Sequence, residues 1–172
     1  PRERDFAFVG TGFASRIAFF EAMNLAGLDA VLAGNWGQLA DGSPLRALVP
    51  HDITHCLDNA ETADLYRSAR VGINFYRREA QRADLVSGWA MGPREVEMAA
   101  CGLFFLRDPR GEGDDVLHML PTFGSPEEAG DLLRWYLVHE DERVKLADQA
   151  REAIAERTFN HFAAALLRRI IT

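Results

Sequence analysis

Short apolar runs closed by glycine alternate with stretches of helical period along this chain, and the alternation predicts the fold. Asp5 to Gly10 (DFAFVG) reads as a first, central strand. Thr11 to Arg16 leads into a helix, in which Ile17, Phe20, Ala22, Met23 and Leu25 recur at helical spacing up to Ala26, and Gly27 closes it. Leu28 to Ala33 is a second strand, ended by Gly34, Asn35, Trp36 and Gly37. Strand, helix and strand this close together make a βαβ unit with a right-handed crossover. From Gln38 to Asp58 turns dominate, with Ile53 to Leu57 as a short edge strand. Asn59 is then a helix cap for Ala60 to Ala69, whose buried face is Leu65, Tyr66 and Ala69. Val71 to Tyr76 (VGINFY) is the next strand, followed by a charged loop through Arg77, Arg78 and Arg82.

The stretch Ser87 to Asp108 (SGWAMGPREVEMAACGLFFLRD) organises the rest. Ser87, Gly88 and Gly92 are turn formers, and Pro93 suits the first position of a helix. Arg94, Glu95 and Glu97 fall in its opening turns, where the two glutamates complement the positive end of the helix dipole. Gly102 stops it by taking a left-handed conformation. Leu103 to Leu106 is a continuous apolar run, as in a strand covered on both faces. Beyond Asp108, a turn at Pro109 to Gly113 precedes a short helix or turn from Asp114 to Leu120 and a last short strand at Thr122 and Phe123. Ser125, Pro126 and the glutamates after them open the first of three helices, at about 126–138, 141–157 and 159–171. The expected fold is α/β: a Rossmann-like open, mainly parallel sheet with helices on both faces and C-terminal helices, in one domain over residues 1–172.

Composition narrows the field. The 172 residues suffice for one sizeable core, and 48% apolar with 26% charged residues is ordinary for a globular protein. A formal charge of −7 argues against a broad nucleic-acid or anionic-membrane surface, yet leaves room for an anionic small ligand held by a few arginines. Cys56 and Cys101 are read as buried reduced thiols, which suits a cytoplasmic location. No apolar run approaches a membrane span, and the PRERD start reads as a chain cut from something longer.

In open parallel sheets the ligand lies beyond the C-terminal strand ends, and free backbone N–H groups at a helix start favour an anion there. The strand-end loops pool Thr11, Gly12, Ser15 and Arg16; Asn74, Tyr76 and Arg77; and Ser87, Gly88, Arg94 and Glu97. Arginines would grip a pyrophosphate, and a carboxylate near the helix start would take vicinal ribose hydroxyls. The duller alternatives are solvated charges for Arg16 and Arg94, a dipole complement for Glu97, and a backbone-satisfying role for Asn74 at the sheet's edge. Ser15 stands where a dinucleotide G-x-G-x-x-G loop needs its third glycine, which counts against an oxidoreductase. His51 and His55 lack the helix of a paired metal site, His118, His139 and His161 read as surface or cap residues, and neither a nucleophile elbow nor a Walker loop occurs.

The segment from Arg94 to Gly102 (REVEMAACG) resembles the R-x-x-E-x-x-A-C-G signature of glycosyltransferases with the two-domain GT-B fold, group 1 type, in the spore-maturation-protein-like branch. Phe8 to Arg16, Gly34 to Gly37, Leu65 to Ala69, Ile73 to Phe75 and Ser125 to Glu128 resemble further pieces of that branch in order, over nearly the whole chain. The resemblance implies the C-terminal, donor-binding half of such an enzyme, with the N-terminal acceptor domain missing from these residues. It implies a UDP- or GDP-sugar as donor, no bound metal and no other cofactor. By that resemblance Arg94 and Glu97 would carry the chemistry, with Glu97 on the ribose and Arg94 and Arg16 on the diphosphate, and Gly12, Asn74, Arg77, Ser87, Gly88, Trp89 and Gly92 would complete the donor site. Many members carry a second glutamate eight residues before the ribose one; Trp89 stands there, either to stack on the sugar or to pack.

Two rival readings remain: a non-catalytic interaction module on a degenerate transferase fold, and a dinucleotide-dependent oxidoreductase. The last helix has an apolar stripe of Phe159, Phe162, Ala163, Leu166, Leu167 and Ile170. Its expected place is on this domain's own sheet, with a crossing to the first domain as the alternative.

Overall fold

The computed structural model describes residues 2–79 and 88–171. Its sheet has four parallel strands in the order β2-β1-β3-β4, formed by β1 (Arg4–Val9), β2 (Ala30–Ala33), β3 (Ala69–Asn74) and β4 (Phe104–Arg107). Phe6 pairs with Ala30 on one side and Val71 on the other, and Val71 with Phe104, so the first strand lies inside the sheet as its apolar run requires. Helix α1 (Ala14–Ala22) connects β1 to β2, and α2 (Asn59–Ser68) precedes β3. Helix α3 (Pro93–Ala100) joins β3 to β4, followed by α4 (Gly111–Val116), α5 (Pro126–Val138), α6 (Glu140–Ala153) and α7 (Phe159–Ile171). The open Rossmann-like α/β sheet expected from the alternation is what forms.

Packing explains why each strand reads as it does. Phe6, Phe8, Val71, Ile73, Phe104, Phe105 and Leu106 are buried on both faces of the sheet. Phe8 and Phe20 each meet Trp36 edge-on at 5.9 Å between ring centroids and lie tilted against each other at 4.8 Å. On that basis Trp36 anchors the chain as it leaves β2. Gly102 takes φ +64 and ends α3 as expected, with its N–H on Ala99 O and that of Leu103 on Met98 O.

Several elements depart from expectation. The first helix covers Ala14–Ala22 and not the stretch to Ala26, since Met23 already has extended backbone. The α2 cap is Asp58, not Asn59: its side chain accepts Glu61 N–H at 2.8 Å and Glu61 returns the bond to Asp58 N–H, a complete capping box. Ile53 to Leu57 is no strand; Asp52 takes the Thr54 N–H and hydroxyl in a side-chain turn, which leaves Cys56 exposed instead of buried. Cys101 is half-buried, and both thiols are free. Thr122 makes only an isolated bridge to Arg107, and the penultimate helix ends at Ala153. The short helix after β4 starts at Gly111 and ends at Val116, where Asp114 to Leu120 was expected. Asn74 is not at the sheet's edge, because β3 is an inner strand.

The last helix is the largest correction. Its stripe does not pack on this sheet: Phe159 is 94% exposed, Phe162 and Ile170 70% each, and Leu166 and Leu167 about half. Among the described residues no helix is long and apolar enough to cross a membrane. Replacing Phe162 and Leu166 by serine is expected to change the unfolding free energy of this domain by no more than about 0.5 kcal/mol in a urea titration, whereas core positions would cost several times that.

Candidate functional site

The chain leaves β1 toward β2 and leaves β3 toward β4, so the loops beyond these adjacent strands part and open a crevice between them. Arg16, from the first turn of α1, spans it. Its Nη1 donates to Thr11 O at 3.0 Å, while Nε and Nη2 donate to Phe75 O at 3.3 and 2.9 Å. Burial lowers the Arg16 pKa, and Glu79 opposes that shift. Arg77 lies over the Phe13 ring at 4.3 Å on the same rim. Glu79 reaches the start of α1, where its Oε1 accepts Ser15 N–H at 2.7 Å. Gly12 faces inward: a Cβ there would lie 2.4 Å from the Trp36 ring, so this glycine admits the indole.

The start of α3 is built differently from the open turn expected for it. Gly92 precedes Pro93, and its N–H donates to Glu95 Oε2 at 2.9 Å; the Tyr76 hydroxyl donates to the same oxygen. The Met91 N–H goes to Glu112 Oε2 at 2.7 Å. Both amides are thus held by the protein's own carboxylates. Glu95 is fully buried, and burial pushes its carboxyl above the usual glutamate range, although Tyr76, Gly92 and Arg107 pull the other way. The Tyr76 phenol is raised by burial and then by its bond to Glu95. Arg107, also buried, donates to Asp114 Oδ1 at 2.9 Å. Gly113 lies over this pair: a Cβ there would be 2.7 Å from Arg107 Nη1 and 3.3 Å from Glu95 Oε1. Among the described residues those two atoms, with Arg107 Nε and Asn74 Nδ2, have no hydrogen-bond partner, a polar set of the kind ordered water satisfies.

Arg94 and Glu97 pair on the side of α3 toward α2. Arg94 Nη1 donates to Glu97 Oε2 at 2.6 Å, with both side chains about two-fifths exposed. Tyr66 lies beside them; burial raises its phenol, Arg94 pulls it down and Glu97 pushes it up. Among the described residues Glu97 Oε1 accepts nothing.

Trp89, 63% exposed, rests on the segment after β4: a Cβ on Gly111 would lie 2.4 Å from its indole. Arg110 stacks on the Tyr76 ring at 3.7 Å and runs beneath Gly88. Glu112 N–H donates to Trp89 O at 2.9 Å. Asp108, buried, takes both bonds from Arg78 Nη2, at 2.7 and 2.8 Å, and the Tyr76 N–H at 3.1 Å. The structure therefore gathers Arg16, Arg77, Gly88, Trp89 and Gly92 around the loops, holds Asn74 in the sheet below, and keeps Arg94 with Glu97 on the adjoining helix face. Ser87 and Arg82 lie outside the described residues. Glu95, Arg107, Asp108 and Glu112 were not singled out as site residues, although a glutamate three residues after a glycine–proline helix start signals Glu95's capping role.

A cavity of about 580 Å³ at the opposite end of the sheet is lined by Arg2, Arg70, Arg143 and Arg151. Two of these serve helix ends: Arg2 donates to Tyr66 O and Ala69 O at 2.8 and 2.7 Å, and Arg143 to Tyr136 O at 2.8 Å.

A family model described as glycosyl transferase-like matches residues 16–168. No curated protein matches the chain.

Two outcomes follow from the geometry. Gly12→Ala is expected to lose about 1–3 kcal/mol of stability by driving a methyl into Trp36, read from urea denaturation. Glu95 holds its proton more tightly in the folded state than in the unfolded one. Its contribution therefore favours folding below the ordinary glutamate pKa and is lost as pH rises through the raised value. Glu95→Gln, which keeps an acceptor for Tyr76 and Gly92, should gain stability relative to the wild type as pH rises above roughly 4.3. A stability difference that does not change with pH would contradict this.

Proposed function

The chain belongs to the glycosyl transferase-like family, and from that premise we propose that it binds the nucleotide-diphosphate sugar of a glycosyltransferase. The observation that carries this reading is the coincidence of the family match with a switch-point crevice whose rim bears Arg16 and whose neighbouring helix bears Arg94 and Glu97. A UDP- or GDP-sugar meets this chemistry in parts. Glu97 Oε1 takes vicinal ribose hydroxyls while Oε2 stays on Arg94. The remaining guanidinium donors of Arg94 and Arg16 take the diphosphate, where negative charge grows as the glycosidic bond to it breaks. The exposed indole of Trp89 offers the sugar an apolar face.

In this reading the chain is the donor half of a GT-B enzyme and the acceptor comes from a preceding α/β domain. The uncovered stripe of α7 supports that view, since an apolar face of this kind fits against a second domain. Free thiols at Cys56 and Cys101 fit a reducing cytoplasm.

Calorimetric titration with UDP, GDP and their sugars tests the assignment. The wild type should bind at least one of them, and Glu97→Ala and Arg94→Ala should each lose about 1.5–3 kcal/mol, the worth of a hydrogen bond to a charged group. Binding that survives Glu97→Ala unchanged would remove the ribose role. No binding by the wild type would favour a non-catalytic interaction module on the same fold.

A further inference from the structure

Glu112 stands at a junction that the donor reading does not use. Its backbone N–H donates to Trp89 O at 2.9 Å, and its carboxylate accepts Met91 N–H at 2.7 Å through Oε2. One residue thus grips the loop 88–92 at two points, just before the Gly92 cap of α3. The other carboxylate oxygen, Oε1, accepts from Arg157 Nη1 at 2.5 Å. Arg157 directly precedes Thr158, whose hydroxyl accepts His161 N–H at 3.2 Å in the opening turn of α7. Among the described residues, the foot of the helix with the uncovered apolar stripe therefore reaches the loop with Trp89 through the Arg157–Glu112 ion pair and the two hydrogen bonds by which Glu112 holds that loop.

The two helix-start amides differ in how they are held. Gly92 N–H is served by Glu95, which is fully buried and locked by Tyr76. Met91 N–H is served by Glu112, a side chain 17% exposed whose guanidinium partner is 38% exposed. The first is a fixed cap. The second depends on where Arg157 is, because Arg157 holds the other carboxylate oxygen and so orients the group; the bond from Met91 and then that from Arg157 lower its pKa. We propose that Glu112 is a positioning residue for the loop 88–92 and that Arg157 makes its grip respond to the seating of α7. A partner surface that moves the foot of α7 alters the hold on Met91, and a ligand that re-forms the loop alters α7 in return, as reciprocal coupling requires. The relevance of this coupling to a nucleotide ligand rests on the proposed donor function; the mechanical link does not.

Residue-resolved amide hydrogen exchange on the full chain separates the two. Arg157→Met should speed exchange at Met91 by about fivefold and leave Gly92, under its buried cap, unchanged. In a Glu112→Ala background, where Met91 is already released, the same substitution should add nothing. Unchanged exchange at Met91 in Arg157→Met, or an equal acceleration in the Glu112→Ala background, overturns the link. With UDP or GDP as the probe, whichever the wild type binds, Arg157→Met should weaken binding by about threefold although, among the described residues, no hydrogen bond or ion pair joins Arg157 to a proposed donor residue. Unchanged affinity in a chain whose Met91 has loosened overturns the coupling to ligand. A wild type that binds neither UDP nor GDP, with Met91 loosened as expected, removes the donor reading and leaves the mechanical link standing.

Discussion

Where β1 and β3 end side by side, the chain departs in opposite directions, and the carbonyls exposed by that parting must find donors. Arg16 supplies them. Its guanidinium joins Thr11 O beyond β1 to Phe75 O beyond β3, so the two walls of the crevice are fixed to each other and not merely neighbours. The position is costly for a cation, since burial lowers its pKa; Glu79 and the Phe8 and Phe13 rings, 5.3 and 5.6 Å away, offset part of that cost. A residue so placed serves the fold with three of its five guanidinium N–H groups. Structural and ligand-binding roles are therefore compatible in this side chain, and a substitution there would mix the two.

The same region shows how an acidic chain completes its helix starts. Glu79 takes the Ser15 amide, Glu95 the Gly92 amide and Glu112 the Met91 amide. Each is a carboxylate complementing a helix dipole, and together they occupy donors that an anionic ligand would also seek. On the proposed donor reading an incoming diphosphate would have to compete with internal carboxylates, and burial would decide which of them yields. Glu95 is enclosed with Tyr76 and Arg107, whereas Glu79 and Glu112 are nearer solvent. Affinity for an anion at this mouth is a difference between two sets of charge-assisted bonds, not the sum of one.

Much of the fold was legible because its signals are local. The apolar runs of β1, β3 and β4, Pro93 before α3 and Gly102 after it each act within a few residues. The α2 cap shows the limit: Asp58 and Asn59 are both good caps, and the choice falls to Glu61, which is three residues beyond Asp58 and completes its box. Ile53 to Leu57 has the composition of a strand, but the Asp52 side chain closes a turn on Thr54 first, and Ile53 O is taken by Trp36 N–H. The site was less legible because its partners are distant in the chain. Tyr76 with Glu95, Arg107 with Asp114, and Glu112 with Met91 and Arg157 meet only once β3 and β4 are paired. Arg107 and Asp108 look like the polar end of a strand and are in fact buried, one by Asp114 and the other by Arg78.

Helix α7 carries the same lesson further. Periodicity identifies which of its residues share a face, but not what lies across from that face, and burial against the home sheet was the natural expectation. Exposure of Phe159, Phe162 and Ile170 means that the stripe contributes almost nothing to the stability of the domain described here. Its worth is realised only against another surface, where each large apolar side chain removed from water is worth about 1.5–3 kcal/mol. The foot of this helix reaches Glu112 through Arg157, so part of any such free energy is felt at the Trp89 loop. On the proposed link, a ligand at that loop and a partner on this helix would not bind independently of each other.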